Sequence, residues 1–152
     1  MPRSAPADSA CWYADGLCFA CTQCGRCCGG APGHVFVSED EIARIAKLLK
    51  MDPERFRRRH TRRAGSRRSL RELPNGDCEF LGRDADGRAY CRIYAARPLQ
   101  CRTWPFWESN LRSEADWEMA ARECPGINTG RHHPLPVIRQ ALARNRAARL
   151  PL

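Results

Sequence analysis

Apolar residues recur at helical spacing in three stretches of the chain. Ile42, Ile45, Ala46 and Leu49 fall at i, i+3, i+4 and i+7, which puts them on one face of a helix. Ser38 stands before them with Glu41 three residues on, the pattern of a capping box. Trp117, Ala120, Ala121 and Cys124 repeat the spacing behind a second cap, Ser113, and Pro125-Gly126 stops that helix. Val137, Ile138, Ala141 and Leu142 mark a last helix over 136–149. Asp52-Pro53-Glu54 starts another helix, with Asp as cap and Pro at the first helical position. It runs into an arginine-rich stretch and is expected to end before Gly65.

Extended pieces are shorter. His34 to Val37 makes one, and Cys78 to Leu81 and Ala89 to Tyr94 make a hairpin around the turn at Asp86-Gly87. Asp84-x-Asp86-Gly87 lacks the later carboxylates of a calcium loop and reads as a turn. Arg97 to Trp107, rich in Pro and Trp, reads as loop. The expected fold is a small irregular, mainly-α domain with a short β-hairpin, organised around one or two Cys-ligated metal centres. Its expected organisation is a disordered lead over 1–10, a cysteine-cluster metal-binding domain over 11–130, and a C-terminal helical tail over 131–152.

Composition sharpens the picture at the cysteines. There are 10 in 152 residues, six of them between Cys11 and Cys28. The first ten residues carry no apolar signal core, so a cytoplasmic, reducing setting is expected. Clustered cysteines there ligate metals rather than form disulfides. No apolar run reaches the roughly 18 residues of a membrane span. Cys21-x-x-Cys24-x-x-Cys27 is a tandem that wraps three thiolates around one centre, like the opening of a bacterial ferredoxin motif, whose last ligand precedes Pro. Cys124-Pro125 is the one Cys-Pro, so it is the leading fourth ligand. Cys28 is expected to diverge from Cys27 and to join Cys78, Cys91 and Cys101 in a second group. Glycines 25, 29 and 30 allow positive φ and close backbone approach, and their N–H groups are candidates to face sulfur. Thiolates suit both an iron–sulfur cluster and zinc; the tandem favours the cluster.

These residues carry a resemblance. Phe19-x-Cys21-x-x-Cys24-Gly25-x-Cys27-Cys28, Cys78-x-Phe80-Leu81, Cys91-x-Ile93-Tyr94-x-x-Arg97-Pro98-x-Gln100-Cys101-Arg102-x-Trp104-Pro105-Phe106 and Cys124-Pro125-Gly126-Ile127 resemble the YkgJ-type cysteine-cluster family, also called CxxCxxCC. The resemblance spans about 12–130. It implies a bacterial metal-binding protein, often labelled as iron–sulfur, with no settled reaction. Flagellin lysine methylases carry a similar cluster. It also implies eight ligands: Cys21, Cys24, Cys27, Cys28, Cys78, Cys91, Cys101 and Cys124. Cys11 and Cys18 fall outside this set, and Cys18 departs from the basic residue usual near that position.

Charge adds one more feature. The net charge is +9, and nine arginines between Arg55 and Arg71, with no acid among them, account for all of it. Such a segment suits nucleic acid or an acidic protein, or it is a solvated connector that stays outside the cysteine centre. No nucleic-acid-binding signature accompanies it. His34, His60, His132 and His133 are secondary ligand candidates; His60 is expected to be exposed and His132-His133 to lie in a solvated loop. Trp104, Phe106 and Trp107 are expected to pack, and Arg97 and Arg102 flank Cys101 as possible counter-charges. No phosphate-binding loop, dinucleotide fingerprint or hydrolase motif is present, so no catalytic group is assigned. The expected function is an iron–sulfur protein in electron transfer or in service of a redox or modifying enzyme. The alternative is a structural zinc module whose basic segment docks on nucleic acid or an acidic protein.

Overall fold

The computed structural model describes residues 11–29 and 33–152. The expected lead over 1–10 and Gly30 lie outside the described residues. In chain order the elements are β1 (Leu17–Phe19), β2 (Phe36–Val37), α1 (Glu39–Leu48), α2 (Pro53–His60), β3 (Thr61–Ala64), β4 (Arg67–Leu70), β5 (Leu81–Arg83), β6 (Ala89–Cys91), a 3-10 turn (Tyr94–Ala96), α3 (Leu99–Thr103), α4 (Glu108–Leu111), α5 (Glu114–Glu123), β7 (Ile127–His133) and α6 (Leu135–Ala147). The fold is mixed α and β, with small antiparallel sheets beside short helices. That corrects the mainly-α expectation. Among the described residues no helix is long and apolar enough to cross a membrane. The chain divides into two compact units, Gln23–Trp104 and Met1–Thr22 with Pro105–Leu152.

In the unit Gln23–Trp104, α1 starts as the capping box requires. The Glu41 N–H donates to Ser38 Oγ at 3.2 Å, a cap worth about 1 kcal/mol. Its apolar face buries Ile42, Ile45 and Ala46 against Val37, Phe56, Leu70, Phe80 and Ile93. Asp52 caps α2 through the Arg55 N–H at 3.0 Å. This helix ends at His60, before Gly65 as expected, and the chain turns at Gly65 into the hairpin β3–β4, whose second strand also pairs with β2. Thr61 and Ser69 are buried in this sheet. Gln100 of α3 clamps the approach to β2: its Oε1 accepts from Phe36 N at 2.9 Å and its Nε2 donates to His34 O at 2.8 Å. The hairpin β5–β6 turns where Asp84 Oδ1 accepts from the N–H groups of Asp86 and Arg88.

In the other unit, Ser113 caps α5 through Asp116 N at 3.1 Å. Trp117 of α5 stacks on Phe106 with ring centroids 6.1 Å apart. β7 was not anticipated. It pairs antiparallel with β1, and it holds His132 and His133 in place. His132 Nε2 lies 2.7 Å from Asp15 O and His133 Nε2 lies 3.1 Å from Phe19 O. The expected solvated loop is therefore a strand, whose imidazoles hold it to Asp15 and to Phe19 of β1.

Candidate metal centre

The tandem motif straddles the two units. Cys21 belongs to the unit with Cys124, and Cys24, Cys27 and Cys28 belong to the unit with Cys78, Cys91 and Cys101.

In the unit Gln23–Trp104, the segment after Cys24 folds into successive turns. Cys28 N donates to Gly25 O at 3.1 Å, and Gly29 N donates to Arg26 O at 3.4 Å. Side chains on a helix-like turn are rotated by about 100° per residue rather than alternating as on a strand. Cys27 and Cys28 therefore do not diverge: their Sγ atoms lie 3.8 Å apart. The expected split of these neighbours into separate groups is not what the geometry gives.

Two backbone contacts dock this segment onto the rest of the unit. Ala89 N donates to Gln23 O at 3.1 Å, and Cys78 N donates to Cys28 O at 2.6 Å. Two glycines permit the approach. Gly25 has φ +79°, and a Cβ there would lie 2.7 Å from Ala89 Cβ. A Cβ on Gly29 would lie 2.6 Å from Asp77 Oδ1. Cys78 and Cys91 themselves pack against the apolar core.

The result is five thiols in one electrostatic neighbourhood. Cys28 feels Cys27, Cys101 and Cys78; Cys101 feels Cys78, Cys91 and Cys27; Cys91 feels Cys27. Cys27 and Cys28 share a proton. The hydrogen bond from Cys28 brings the Cys27 thiol down to about 6, and the same bond pushes Cys28 up. Burial raises Cys78 and Cys91 and pushes Cys101 up to about 12. Backbone hydrogen bonds act the other way. Those from Phe80 to Cys78 and from Ile93 to Cys91 favour the thiolates, as N–H donors do at ligated sulfur. The charge of Arg97 favours the thiolates of Cys27, Cys91 and Cys101. Its guanidinium is held over the Tyr94 ring, 3.7 Å from the centroid.

In the other unit, Ala20 N donates to Gly126 O at 3.1 Å. The backbone beside Cys21 thus runs against the backbone that follows Cys124. Cys11 has Tyr13 as its neighbour; burial and then Cys11 raise that phenol.

The donor set fits a thiophilic metal. Soft thiolates with N–H groups and a guanidinium beside them suit zinc or iron–sulfur ligation. Among the described residues, no three His, Cys, Asp or Glu side chains are close enough to hold a single ion. His34 stacks on Phe36. His60, expected to be exposed, is partly buried: its Nδ1 lies 2.7 Å from Glu79 Oε1 and its ring packs against Phe56 and Phe80. The sequence reading missed the N–H groups of Phe80 and Ile93. The Cys-x-Phe and Cys-x-Ile spacings were their signal, since each donor sits two residues after its thiol.

The chain belongs to the CxxCxxCC family, described as a putative zinc- or iron-chelating domain, whose model matches residues 20–125. It is also similar to an uncharacterized protein, MJ0661, of Methanocaldococcus jannaschii, at 35% identity over 95 residues, which are 62% of this chain and 48% of that protein. The chain thus spans about half the length of this curated relative. No solved structure matches it.

Proposed function

We propose that the protein holds an iron–sulfur cluster on cysteine thiolates and serves electron transfer, or assists a redox or modifying enzyme in a reducing compartment. The observation that carries this reading is the gathering of Cys27, Cys28, Cys78, Cys91 and Cys101 in one electrostatic neighbourhood. That is one thiol more than a tetrahedral zinc takes. Donors around a multi-iron unit stand about 6–7 Å apart, which suits thiols that share a neighbourhood without closing on a single ion. The proposed ligands are drawn from these five and Cys24 in one unit, with Cys21 and Cys124 as candidates in the other. When bound, the group would supply one-electron redox chemistry. The chain's own residues gather the thiolates, and Arg97 and the N–H groups of Phe80 and Ile93 offset their charge.

Zinc is the second reading, and one distance favours it. The 3.8 Å between Cys27 Sγ and Cys28 Sγ matches the roughly 3.5–4 Å between two thiolates on one zinc. Anaerobic purification followed by absorption spectroscopy and metal analysis separates the two. A brown protein with a broad band near roughly 400 nm, with iron and acid-labile sulfide, supports the first. Colourless protein with stoichiometric zinc overturns it.

A further inference from the structure

An open cavity of about 480 Å³ lies on the surface of the unit Gln23–Trp104 and shares Arg97 with the thiols. Arg44 and Lys47 of α1 line it together with Arg97 and Arg102, and no carboxylate does. None of these four cations is in an ion pair among the described residues. Other arginines of this unit do have acids: Arg57 meets Glu39 and Glu54, and Arg62 lies 3.6 Å from Glu72. Lys47 has an ordinary explanation, because a cation in the last turn of a helix is favoured by its dipole. The same holds for Arg102 in the last turn of α3, and Arg97 faces the thiols; Arg44, midway along α1, has neither partner.

Four like charges around one concave space repel one another unless an anion joins them. Arg97 is already fixed for the purpose. Its Nε donates to Tyr94 O at 3.1 Å and its guanidinium lies over the Tyr94 ring, so little side-chain freedom is lost on binding. The remaining wall is apolar, made by Leu48, Ala95 and Ala96, and Leu48 is 42% exposed. The volume falls in the range of small-molecule sites and exceeds what a bare inorganic ion fills. Guanidinium forks match phosphate oxygens, and a phosphate monoester brings close to two negative charges at neutral pH.

We propose that this cavity binds a small organic phosphate monoester, with the phosphate among Arg44, Lys47, Arg97 and Arg102 and the organic part against Leu48, Ala95 and Ala96. Its four cations are part of the chain whichever metal the thiols hold. Calorimetry on the full chain tests it, with phenyl phosphate, inorganic phosphate and phenol as probes. Phenyl phosphate is expected to bind at least about tenfold more tightly than inorganic phosphate, and phenol not at all. The double variant Arg44→Gln/Arg102→Gln, at two exposed positions, should weaken phenyl phosphate by about tenfold or more while metal content stays unchanged. The control Arg58→Gln/Arg59→Gln, outside the cavity, should leave binding as it was. Equal weakening by both doubles would reduce the effect to diffuse basic charge and overturn the proposal. So would equal affinity for phenyl phosphate and inorganic phosphate, or no binding of phenyl phosphate at low salt.

Discussion

Cys78 donates its backbone N–H to the carbonyl of Cys28 at 2.6 Å, so the segment that carries one thiol is a strut for the other. The contact requires the chain after Cys28 to pass close to Asp77, and Gly29 makes room for it. Asp77 cannot easily step aside. Its N–H donates to Asn75 Oδ1, and Asn75 Nδ2 donates back to Asp77 Oδ2. The thiol neighbourhood is therefore held by backbone docking, which a change in side-chain volume can undo without touching a cysteine.

Gly25 gives the sharpest test of that dependence. Gly25→Ala forces a left-handed residue and sets a methyl 2.7 Å from Ala89 Cβ. The first costs about 1–2 kcal/mol and the second about 1–3 kcal/mol. Gly65→Ala carries only the first penalty, since φ is +63° and nothing lies within 4 Å. Denaturant unfolding should show the larger loss for Gly25→Ala, accompanied by reduced metal content. Gly65→Ala should keep its metal. Equal metal retention in both would mean that the docking of Gln23–Cys28 does not organise the thiols.

The shared proton of Cys27 and Cys28 makes a pH prediction for the metal-free, reduced protein. Cys27 is brought down to about 6 by the hydrogen bond from Cys28. Its alkylation by iodoacetamide should therefore follow a midpoint near 6, against about 8.5 for an ordinary thiol. The sign for stability follows. A depressed thiol contributes stability that is present above its unfolded value and is lost as pH falls toward 6. Cys28, Cys78, Cys91 and Cys101 are raised, so they oppose folding as pH climbs beyond the ordinary thiol range. Unfolding midpoints of the metal-free chain should peak between these limits. Replacing Cys28 with Ser removes the donor and should return Cys27 toward ordinary reactivity.

Loading the site with metal should release protons. Ligands must be thiolates, while Cys28, Cys78, Cys91 and Cys101 are held as thiols at neutral pH. Each proton displaced makes affinity rise about tenfold per pH unit. Zinc titrations between pH 6 and 8 should thus show log affinity climbing by about two or more per pH unit. Calorimetry in buffers of different ionisation enthalpy would count the same protons. A flat profile would show that these four thiols are not the ligands.

Much of the scaffold was legible because its signals are local. Ser38 with Glu41, Asp52 with Pro53, and Ser113 before Trp117 each announced a helix, and the caps form as written. Asp86-Gly87 likewise announced the β5–β6 turn. The missed elements are those whose signals are not local. β7 reads Ile-Asn-Thr-Gly-Arg-His-His, with no apolar alternation, because most of its side chains face solvent and its pairing with β1 lies far away in sequence. The hairpin β3–β4 hid inside the arginine run, where Arg63 faces Arg68 across the strands, a like-charge pairing that no pattern rule anticipates. At the candidate centre, the spacing named the cysteines that are candidates. The company kept by Cys27 is not legible there, because neighbouring side chains diverge on an extended chain and only the turn after Gly25 brings Cys28 beside it.

The arginine segment divides into residues that hold the fold and residues that do not. Arg57 pairs with Glu39 and Glu54. Arg62 reaches Glu72 and Gly33 O; Arg68 donates to Thr61 Oγ1 at 3.1 Å; Arg71 donates to Thr61 O and Arg58 O. Arg67 lies over the Phe36 ring. Arg55, Arg58, Arg59 and Arg63 are exposed. Surface charges of this kind add little to stability, so replacing these four with Gln should move the unfolding midpoint only slightly. Replacing Arg71, also exposed, should cost more, about 1 kcal/mol, because the carbonyl of buried Thr61 loses a charged donor. If the segment serves an anionic partner, the fourfold variant is the one that loses it. Single-stranded RNA of mixed sequence is the simplest probe. Affinity for the native chain should fall steeply between 50 and 200 mM salt and depend little on sequence, because phosphate contacts carry no base information. The fourfold variant should lose that affinity and keep its metal and its fold. RNA bound equally well by native chain and variant would place the contact elsewhere, and no binding at low salt would leave the segment as a charged connector.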